Sequence, residues 1–276
     1  MKHTHTREEA NPVATAPGTV PGRYFATVIL ALFWLTTIGG ASPQAQVEQP
    51  QKNQMPKEKP KPSFSAEEIK EARELLGSLG YWVNFEVTGL DASMRHALIA
   101  FQKIEGRERT GIFTQAELEA LRVAHKPVPL EIGYNHIEVN LPLQVLFVVD
   151  CCGAILRILP VSSGSGDFFT EGGRTRQAIT PIGRFAMQRK IAGWRKSPLG
   201  LLYYPNYFHG GIAIHGNPAV PAFPASHGCI RIPMFASKEF SVMAKVGMIV
   251  LVHDGNPLPP PETLADSEKR KPGEIK

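Results

Sequence analysis

The chain has 276 residues, of which 43% are hydrophobic and 20% are charged, and this is enough for two small domains with tails. Its 30 Lys and Arg residues exceed its 25 Asp and Glu residues, giving a net charge of +5, which suits an anionic polymer. Nucleic acid would fit this charge equally, but no nucleic-acid motif accompanies it. Neither a nucleotide-binding motif nor a metal-ligand cluster is present, so we expect no cofactor.

Residues 1–41 have the layout of an export signal. A polar stretch over residues 1–23 precedes an uninterrupted run of apolar residues and threonines over 24–38, which ends at Gly39-Gly40-Ala41. The apolar run is shorter than the roughly 20 residues that span a bilayer comfortably. We therefore expect export; a signal left uncleaved would instead anchor the protein in the membrane.

Two further segments have the composition of disordered chain. Residues 42–62 are rich in Gln, Pro and Lys, with almost no large apolar residue, and cannot bury a core. The tail over residues 255–276 is polar and rich in proline. These segments are interpreted as a linker and a disordered tail.

Three short helices are predicted between this linker and a second, proline-bearing linker at 126–131. Ser65 and Glu68 form a capping box that opens the first helix, and Gly80 ends it. The second helix ends at Gly106, and Thr114 caps the third.

The helical region, residues 63–126, resembles the peptidoglycan-binding module found beside many wall enzymes. The resemblance is carried by Ala97-Leu98-Ile99-Ala100-Phe101-Gln102 and Thr110-Gly111-Ile112-Phe113-Thr114. It implies affinity for glycan or stem peptide. Since a fold does not establish a function, a spacer that binds nothing stays open.

From His136 onward the apolar period changes to that of strands. Apolar residues alternate with others through two stretches, and Asp150-Cys151-Cys152-Gly153 predicts a hairpin turn between strands. One helix is predicted over residues 234–244. The expected fold class is multi-domain α and β, with a small three-helix domain followed by a mostly β domain over residues 133–254.

The chemistry concentrates around Cys229. Only a thiolate is a strong nucleophile, so a reactive Cys needs a base or cation nearby, and His215 and His227 are candidates. Gly228 suggests a turn whose amide and that of Cys229 could face a developing oxyanion. His215 is then the better base, because it reaches Cys229 from a separate strand and the carbonyl of Gly216 could fix its second ring nitrogen.

A zinc site and a disulfide are the alternatives to this interpretation. His215, His227 and Cys229 could be three zinc ligands, but no second Cys, Asp or Glu lies within metal-ligand spacing of the last two, so no metal is expected. Three cysteines leave at least one thiol unpaired within the monomer, which we assign to Cys229. Cys151 and Cys152 are adjacent, where a disulfide ring is strained, and they receive no catalytic role.

These residues resemble the catalytic domain of the L,D-transpeptidases of the YkuD type, which join peptide stems of peptidoglycan. The resemblance covers residues 135–254 and rests on Ser226-His227-Gly228-Cys229-Ile230-Arg231, on His215-Gly216 and on Thr180-Pro181-Ile182-Gly183-Arg184-Phe185. It implies that Cys229 is the acylated nucleophile, that His215 is the general base and then the acid, and that the Gly216 carbonyl orients this imidazole. The oxyanion region would comprise His227, Gly228 and Cys229.

Substrate-binding residues are also expected. Arg231 matches the last motif position and would support the loop or hold a substrate carboxylate, with Ser226 beside the cleft. Residues 186–207 are interpreted as a loop or flap over the cleft, where Trp194 and Tyr203 could grip a peptide stem. Ordinary packing of these aromatic residues is equally open.

The sequence therefore predicts a cysteine-dependent acyltransferase of peptidoglycan biosynthesis, cell wall biogenesis and cell shape, located in the periplasm or cell wall and either free or anchored in the inner membrane. A thioester on Cys229 would pass the acyl group of a tetrapeptide stem to a stem side-chain amine. The expected partners are stem peptides, glycan and, as inhibitors, thiol-reactive β-lactams such as carbapenems. An L,D-carboxypeptidase, a zinc hydrolase and a non-catalytic wall-binding protein are the alternatives.

Overall fold

The computed structural model describes residues 64–259. The predictions for residues 1–41 and 42–62, and for all of the tail beyond residue 259, lie outside the described residues. No helix within 64–259 is both long and apolar enough to cross a membrane.

The described chain contains four helices and a mostly β remainder. The helices are α1 Ala66–Ser78, α2 Ala92–Ile104, α3 Gln115–Val123 and α4 Met234–Met243. The strands are β1 His136–Asn140, β2 Val145–Val149, β3 Ile155–Pro160, β4 Phe168–Glu171, β5 Arg174–Gln177, β6 Gly183–Ala186, β7 Arg189–Lys190, β8 Trp194–Ser197, β9 Gly200–His209, β10 Ile212–Asn217, β11 Ile230–Pro233 and β12 Ile249–His253.

The first helix begins and ends where its capping residues predict. Ser65 and Glu68 form the complete capping box, which satisfies two of the amides at the start of α1 that have no partner inside the helix. At the other end Gly80 has a φ of +98°, and the amide of Tyr81 donates to the Leu76 carbonyl. This is a Schellman motif, which requires the left-handed backbone that glycine adopts without strain.

Two larger sheets and one small hairpin make up the rest. The first sheet has the strand order β3-β2-β1-β12-β6, and the second has the order β11-β10-β9-β7 with β8 also paired to β9. A buried apolar cluster joins the two sheets and α4. The predicted turn at residues 150–153 is confirmed, since Gly153 donates to the Asp150 carbonyl and the Asp150 carboxylate accepts from Cys152 and Ala154.

The three N-terminal helices do not have a core of their own. Phe101 of α2 is fully buried, and its ring meets the Tyr81 ring edge-on with centroids 5.9 Å apart. The same apolar cluster includes Val145, Phe147 and Ile158 from β2 and β3. The helices therefore share one core with the first sheet, and the separate peptidoglycan-binding domain stays a prediction.

Polar contacts tie the second predicted linker to the first sheet. The Leu130 amide donates to the buried Glu138 carboxylate at 2.7 Å, and Arg184 donates to both carboxylate oxygens of Glu131. Burial raises the pKa of Glu138, but the nearby imidazoles of His136 and His253, at 3.5 and 3.3 Å, and the Leu130 amide outweigh it, and the net shift is downward. The Glu138 carboxylate therefore stays charged inside the sheet, where its polar partners stabilise the charge.

We predict that residues 64–259 unfold in one transition. Phe101→Ala should lower the free energy of unfolding by about 3–5 kcal/mol, because it leaves a cavity in the shared core. Denaturation followed by far-UV circular dichroism and by tryptophan fluorescence should give coincident curves that both shift. Val123→Ala, at a side chain that is 73% exposed, is the control and should change little. Two separate transitions, with only the helix signal shifted, would contradict the shared core.

Candidate active site

Parallel pairing of β10 and β11 brings the candidate residues together. His215 lies opposite Arg231 in the register, and Ile214 lies opposite Ile230. Cys229 directly precedes β11, so it lies next to the end of β10 that carries Ala213. Because the two strands run in the same direction, the chain between them must cross over, and this crossover contains Ser226 to Cys229.

These side chains line one cavity of about 530 Å³. Cys229, His215, His227, Ser226 and Arg231 all contribute to its wall. The wall is also cationic. Arg176, Arg189 and Arg195 join Arg231, and Glu171 is the one acidic residue among the lining residues.

The ring of His215 is held by the backbone. Its Nδ1 lies 2.9 Å from the Gly216 carbonyl oxygen. A carbonyl can only accept, so Nδ1 carries the proton and Nε2 is left as a proton acceptor. Residue 216 must be glycine here, since a Cβ would overlap Ser237 and come within 3.1 Å of the Tyr203 ring.

Burial favours the neutral forms of His215 and Cys229. It lowers the pKa of His215 to about 4, with a smaller lowering from the Arg231 cation, while the hydrogen bond to Gly216 acts in the opposite direction. Burial also raises the pKa of the Cys229 thiol, although a backbone hydrogen bond from Ala213 and the charge of Arg231 oppose this shift. These shifts disfavour a thiolate–imidazolium pair of Cys229 and His215.

The loop before Cys229 is braced by hydroxyl groups. Ser226 Oγ donates to the Cys229 carbonyl and accepts from the Gly228 amide at 3.0 Å. Thr180 Oγ1 donates to the Gly228 carbonyl at 2.7 Å. Gly228 has a φ of +124°, and a Cβ there would come within 2.9 Å of the Ile179 carbonyl oxygen. The loop conformation therefore excludes other residues at position 228.

The contacts of this loop bear on the roles expected for Gly228 and Ser226. The Gly228 amide is already bonded to Ser226, so it would have to exchange that bond before it could face an oxyanion. Ser226 lies in the cavity wall with a relative exposure of 3%, and its hydroxyl holds the loop, so its role in substrate binding stays a prediction. His227 is exposed and its ring packs edge-on against Phe169, with centroids 4.7 Å apart.

The predicted flap contains a β-hairpin, and its residues Trp194 and Tyr203 lie away from the cavity. Trp194 is in β8 and stacks on Tyr203 of β9, with centroids 4.9 Å apart, and neither lines the cavity. Tyr203 instead packs against Gly216. The tip of the hairpin, from Ser197 to Leu202, forms part of the cavity wall. The tip, and not these two rings, therefore lines the cavity that Cys229 also lines.

Sequence reasoning missed an arginine in the cavity wall. The guanidinium of Arg189 lies over the Tyr207 ring, 3.7 Å from its centroid, and both residues line the cavity. They are partners in the pairing of β7 with β9. Alternation along β9 could have indicated Tyr207, but a two-residue strand such as β7 leaves no periodic signal. Within residues 64–259 no group of three His, Cys, Asp or Glu side chains could hold a metal ion.

Comparison with known proteins agrees with this geometry. A family model described as the L,D-transpeptidase catalytic domain, YkuD, matches residues 134–252. The crystal structure of the L,D-transpeptidase from Xylanimonas cellulosilytica is 32% identical, with a TM-score of 0.65 over 71% of this chain and 100% of that chain. A comparison with curated proteins found no match.

Two further solved structures resemble this chain less closely. The L,D-transpeptidase from Stackebrandtia nassauensis is 22% identical, with a TM-score of 0.40 over 68% of this chain and 92% of that chain. An L,D-transpeptidase in complex with imipenem is 20% identical, with a TM-score of 0.34 over 43% of this chain and 58% of that chain. At TM-scores this low, neither match adds to the first.

The fold and the site define an enzyme of the acyltransferase type. The chain belongs to the L,D-transpeptidase family, with its YkuD catalytic domain at residues 134–252. This membership supports a function related to peptidoglycan.

We predict that alkylation of Cys229 depends steeply on pH. Since burial raises the pKa of this thiol and His215 is neutral above about pH 4, thiolate forms only by loss of the proton to solvent. Below its pKa, the rate with iodoacetamide should rise about tenfold for each pH unit. The measurement uses Cys151→Ser with Cys152→Ser, so that Cys229 is the single thiol, and follows the peptide by mass. A rate that is flat between pH 6 and pH 8 would instead show an ion pair with His215.

Proposed function

We propose that this protein is a cysteine-dependent L,D-transpeptidase that forms peptidoglycan cross-links through a thioester on Cys229. The observation that supports this most is the placement of Cys229 and His215 in one cavity, with the His215 ring held by the Gly216 carbonyl at 2.9 Å. A nucleophile, a base within the same cavity and a group that orients the base are the parts that acyl transfer needs.

In the first half-reaction, Cys229 Sγ attacks the carbonyl carbon of the third stem residue. His215 Nε2 takes the thiol proton as the C–S bond forms, because burial disfavours a thiolate at Cys229 before the attack. Backbone amides at His227 and Cys229 stabilise the oxyanion, and the Gly228 amide joins them once it has left the Ser226 hydroxyl. The imidazolium then gives its proton to the departing amine of D-alanine as the C–N bond breaks, and a thioester remains.

In the second half-reaction, a side-chain amine of another stem attacks the thioester. His215 accepts the proton from this amine, a new C–N bond forms, and the C–S bond breaks. The proton then returns to Cys229, so that the enzyme is regenerated and two third residues are linked. Water in place of the amine would release a tripeptide stem, which is the carboxypeptidase reaction.

The charge of the cavity supports a stem peptide as the substrate. Arg176, Arg189, Arg195 and Arg231 line it, and stem peptides end in a carboxylate. Guanidinium groups bind carboxylates with paired hydrogen bonds, and Arg189 is already oriented by the Tyr207 ring. Arg231 is proposed as one of these carboxylate-binding residues.

The proposal extends to the location of the enzyme. An exported protein, in the periplasm or cell wall, would meet peptidoglycan, and residues 1–41 would supply the signal or the anchor. The helical region would add affinity for glycan or stem peptide. Cross-linking needs no nucleotide, because the peptide bond that is broken drives the bond that is made.

We predict that Cys229→Ser abolishes both products from tetrapeptide-stem muropeptides. Serine has no comparable anion near neutral pH, and a neutral imidazole at His215 activates it poorly. His215→Ala should lower kcat by about 10²–10⁴-fold, the usual contribution of a general base. Mass spectrometry distinguishes dimers from tripeptides. Tripeptides alone would favour the carboxypeptidase, and equal turnover by Cys229→Ser would contradict the proposal.

We predict that a carbapenem acylates Cys229 and no other residue. Its strained carbonyl can occupy the position of the stem carbonyl, whereas Cys151 and Cys152 are exposed on a hairpin turn with no base in a shared cavity. Intact-mass and peptide mapping should show one adduct on the 229 peptide. The Cys151→Ser, Cys152→Ser variant is the control and should be acylated at the same rate. An adduct retained in Cys229→Ala would contradict this assignment.

A further inference from the structure

A lysine without an ionic partner is buried between the helical region and the catalytic domain. Lys103, in the last turn of α2, has a relative exposure of 0%. A fully buried lysine is rare unless it is paired, yet Lys103 forms no ion pair within residues 64–259. Burial, together with the charge of Arg109, lowers its pKa to about 7. Burying this amine therefore costs folding free energy.

Two backbone carbonyls explain where the amine points. Lys103 Nζ donates to the carbonyl oxygens of Gln144 and Val161, each at 2.9 Å. Gln144 has a left-handed backbone, with a φ of +58°, and its carbonyl also accepts from the Val161 amide. Its side-chain amide donates to Ser163 Oγ at 2.7 Å. Lys103 thus joins the turn before β2 to the chain that leaves β3.

The chain that leaves β3 holds both sides of the candidate site. Ser162 exchanges two backbone hydrogen bonds with Arg231, at 3.0 and 3.1 Å. The Ser163 carbonyl accepts from the amides of Ala225 and Ser226, at 3.0 and 2.9 Å. Cys229 lies between these two attachment points. A shift of Val161 would therefore be transmitted to the loop on both sides of the thiol.

A second contact links the same helical region to the same loop. Arg109, six residues after Lys103, donates to the carbonyl of Ala222 at 3.3 Å. Ala222 belongs to the crossover between β10 and β11 that also contains Cys229. The helical region therefore reaches this crossover directly as well as through Val161.

We propose that Lys103 is a positioning residue for acyl transfer, which sets the geometry of the loop from Ser226 to Arg231 through Val161, Ser162 and Ser163. This rests on the proposed function, because it assigns Lys103 to the reaction at Cys229. The helical region is then part of the catalytic apparatus, whatever affinity it has for the wall. Lys103 itself does not touch the substrate.

The test compares Lys103→Met with Leu118→Ala in the full chain. Methionine keeps the apolar stem and removes the donors, while Leu118 is a fully buried residue of α3 that makes none of these contacts. Lys103→Met should lower kcat by about tenfold or more with KM nearly unchanged, since a misplacement of about 1 Å can cost 10²-fold. Leu118→Ala should lower the Tm and leave kcat within about twofold at a temperature where both variants are folded.

Two further measurements test the role of Lys103. The iodoacetamide rate at Cys229, taken at one pH, should change in Lys103→Met and not in Leu118→Ala. Lys103→Arg, which keeps a cationic donor, should recover part of kcat. If Lys103→Met does not fold, Lys103→Gln, which replaces the amine by a shorter, neutral amide and so weakens both bonds, is judged by the same criteria.

Unchanged kcat and alkylation in a folded Lys103→Met would overturn the proposal, as would an equal loss of kcat in Leu118→Ala. If the parent protein gives neither dimers nor tripeptides, the proposed function fails. The alkylation comparison still decides the role of Lys103 in that case.

Discussion

The parallel pairing of β10 with β11 is the constraint on which the site depends. Two parallel neighbours cannot be joined by a tight turn, so the chain must leave the sheet and return. In this protein the return carries the residues from Ser226 to Cys229, and the register then places His215 opposite Arg231. A slip of one residue would turn the imidazole to the other face of the sheet. The pairing of the two strands therefore fixes the position of His215 relative to Cys229.

Burial decides the protonation of the groups that the sheet brings together. The same low-polarity surroundings lower the pKa of His215 and raise that of Cys229, which favours a neutral thiol and a neutral imidazole. In the proposed mechanism, proton transfer from Cys229 to His215 then accompanies attack on the substrate. The hydroxyl groups of Ser226 and Thr180 and the peptide groups of Ser162 and Ser163 hold the loop in place, which reduces the reorganisation that the reaction requires.

The contacts of the helical region bear on its role in the protein. Its apolar side packs against β2 and β3, and its buried lysine bonds to carbonyls at the end of β3, so it contributes to the catalytic half in two ways. A module that only tethered the enzyme to the wall would need neither contact. The shared core and the shared hydrogen-bond chain instead support the proposal that a change at α2 reaches Cys229.

The sequence by itself determined what local chemistry controls. The capping box at Ser65, the turn after Asp150 and α4 follow from short-range preferences, and the motif around Cys229 indicated the family. Only the tertiary structure decided which groups from distant segments face one another. It turned the rings of Trp194 and Tyr203 away from the cavity, and it placed Lys103 against carbonyls far along the chain. Strand register and burial set these contacts, and neither leaves a periodic signal in the residues concerned.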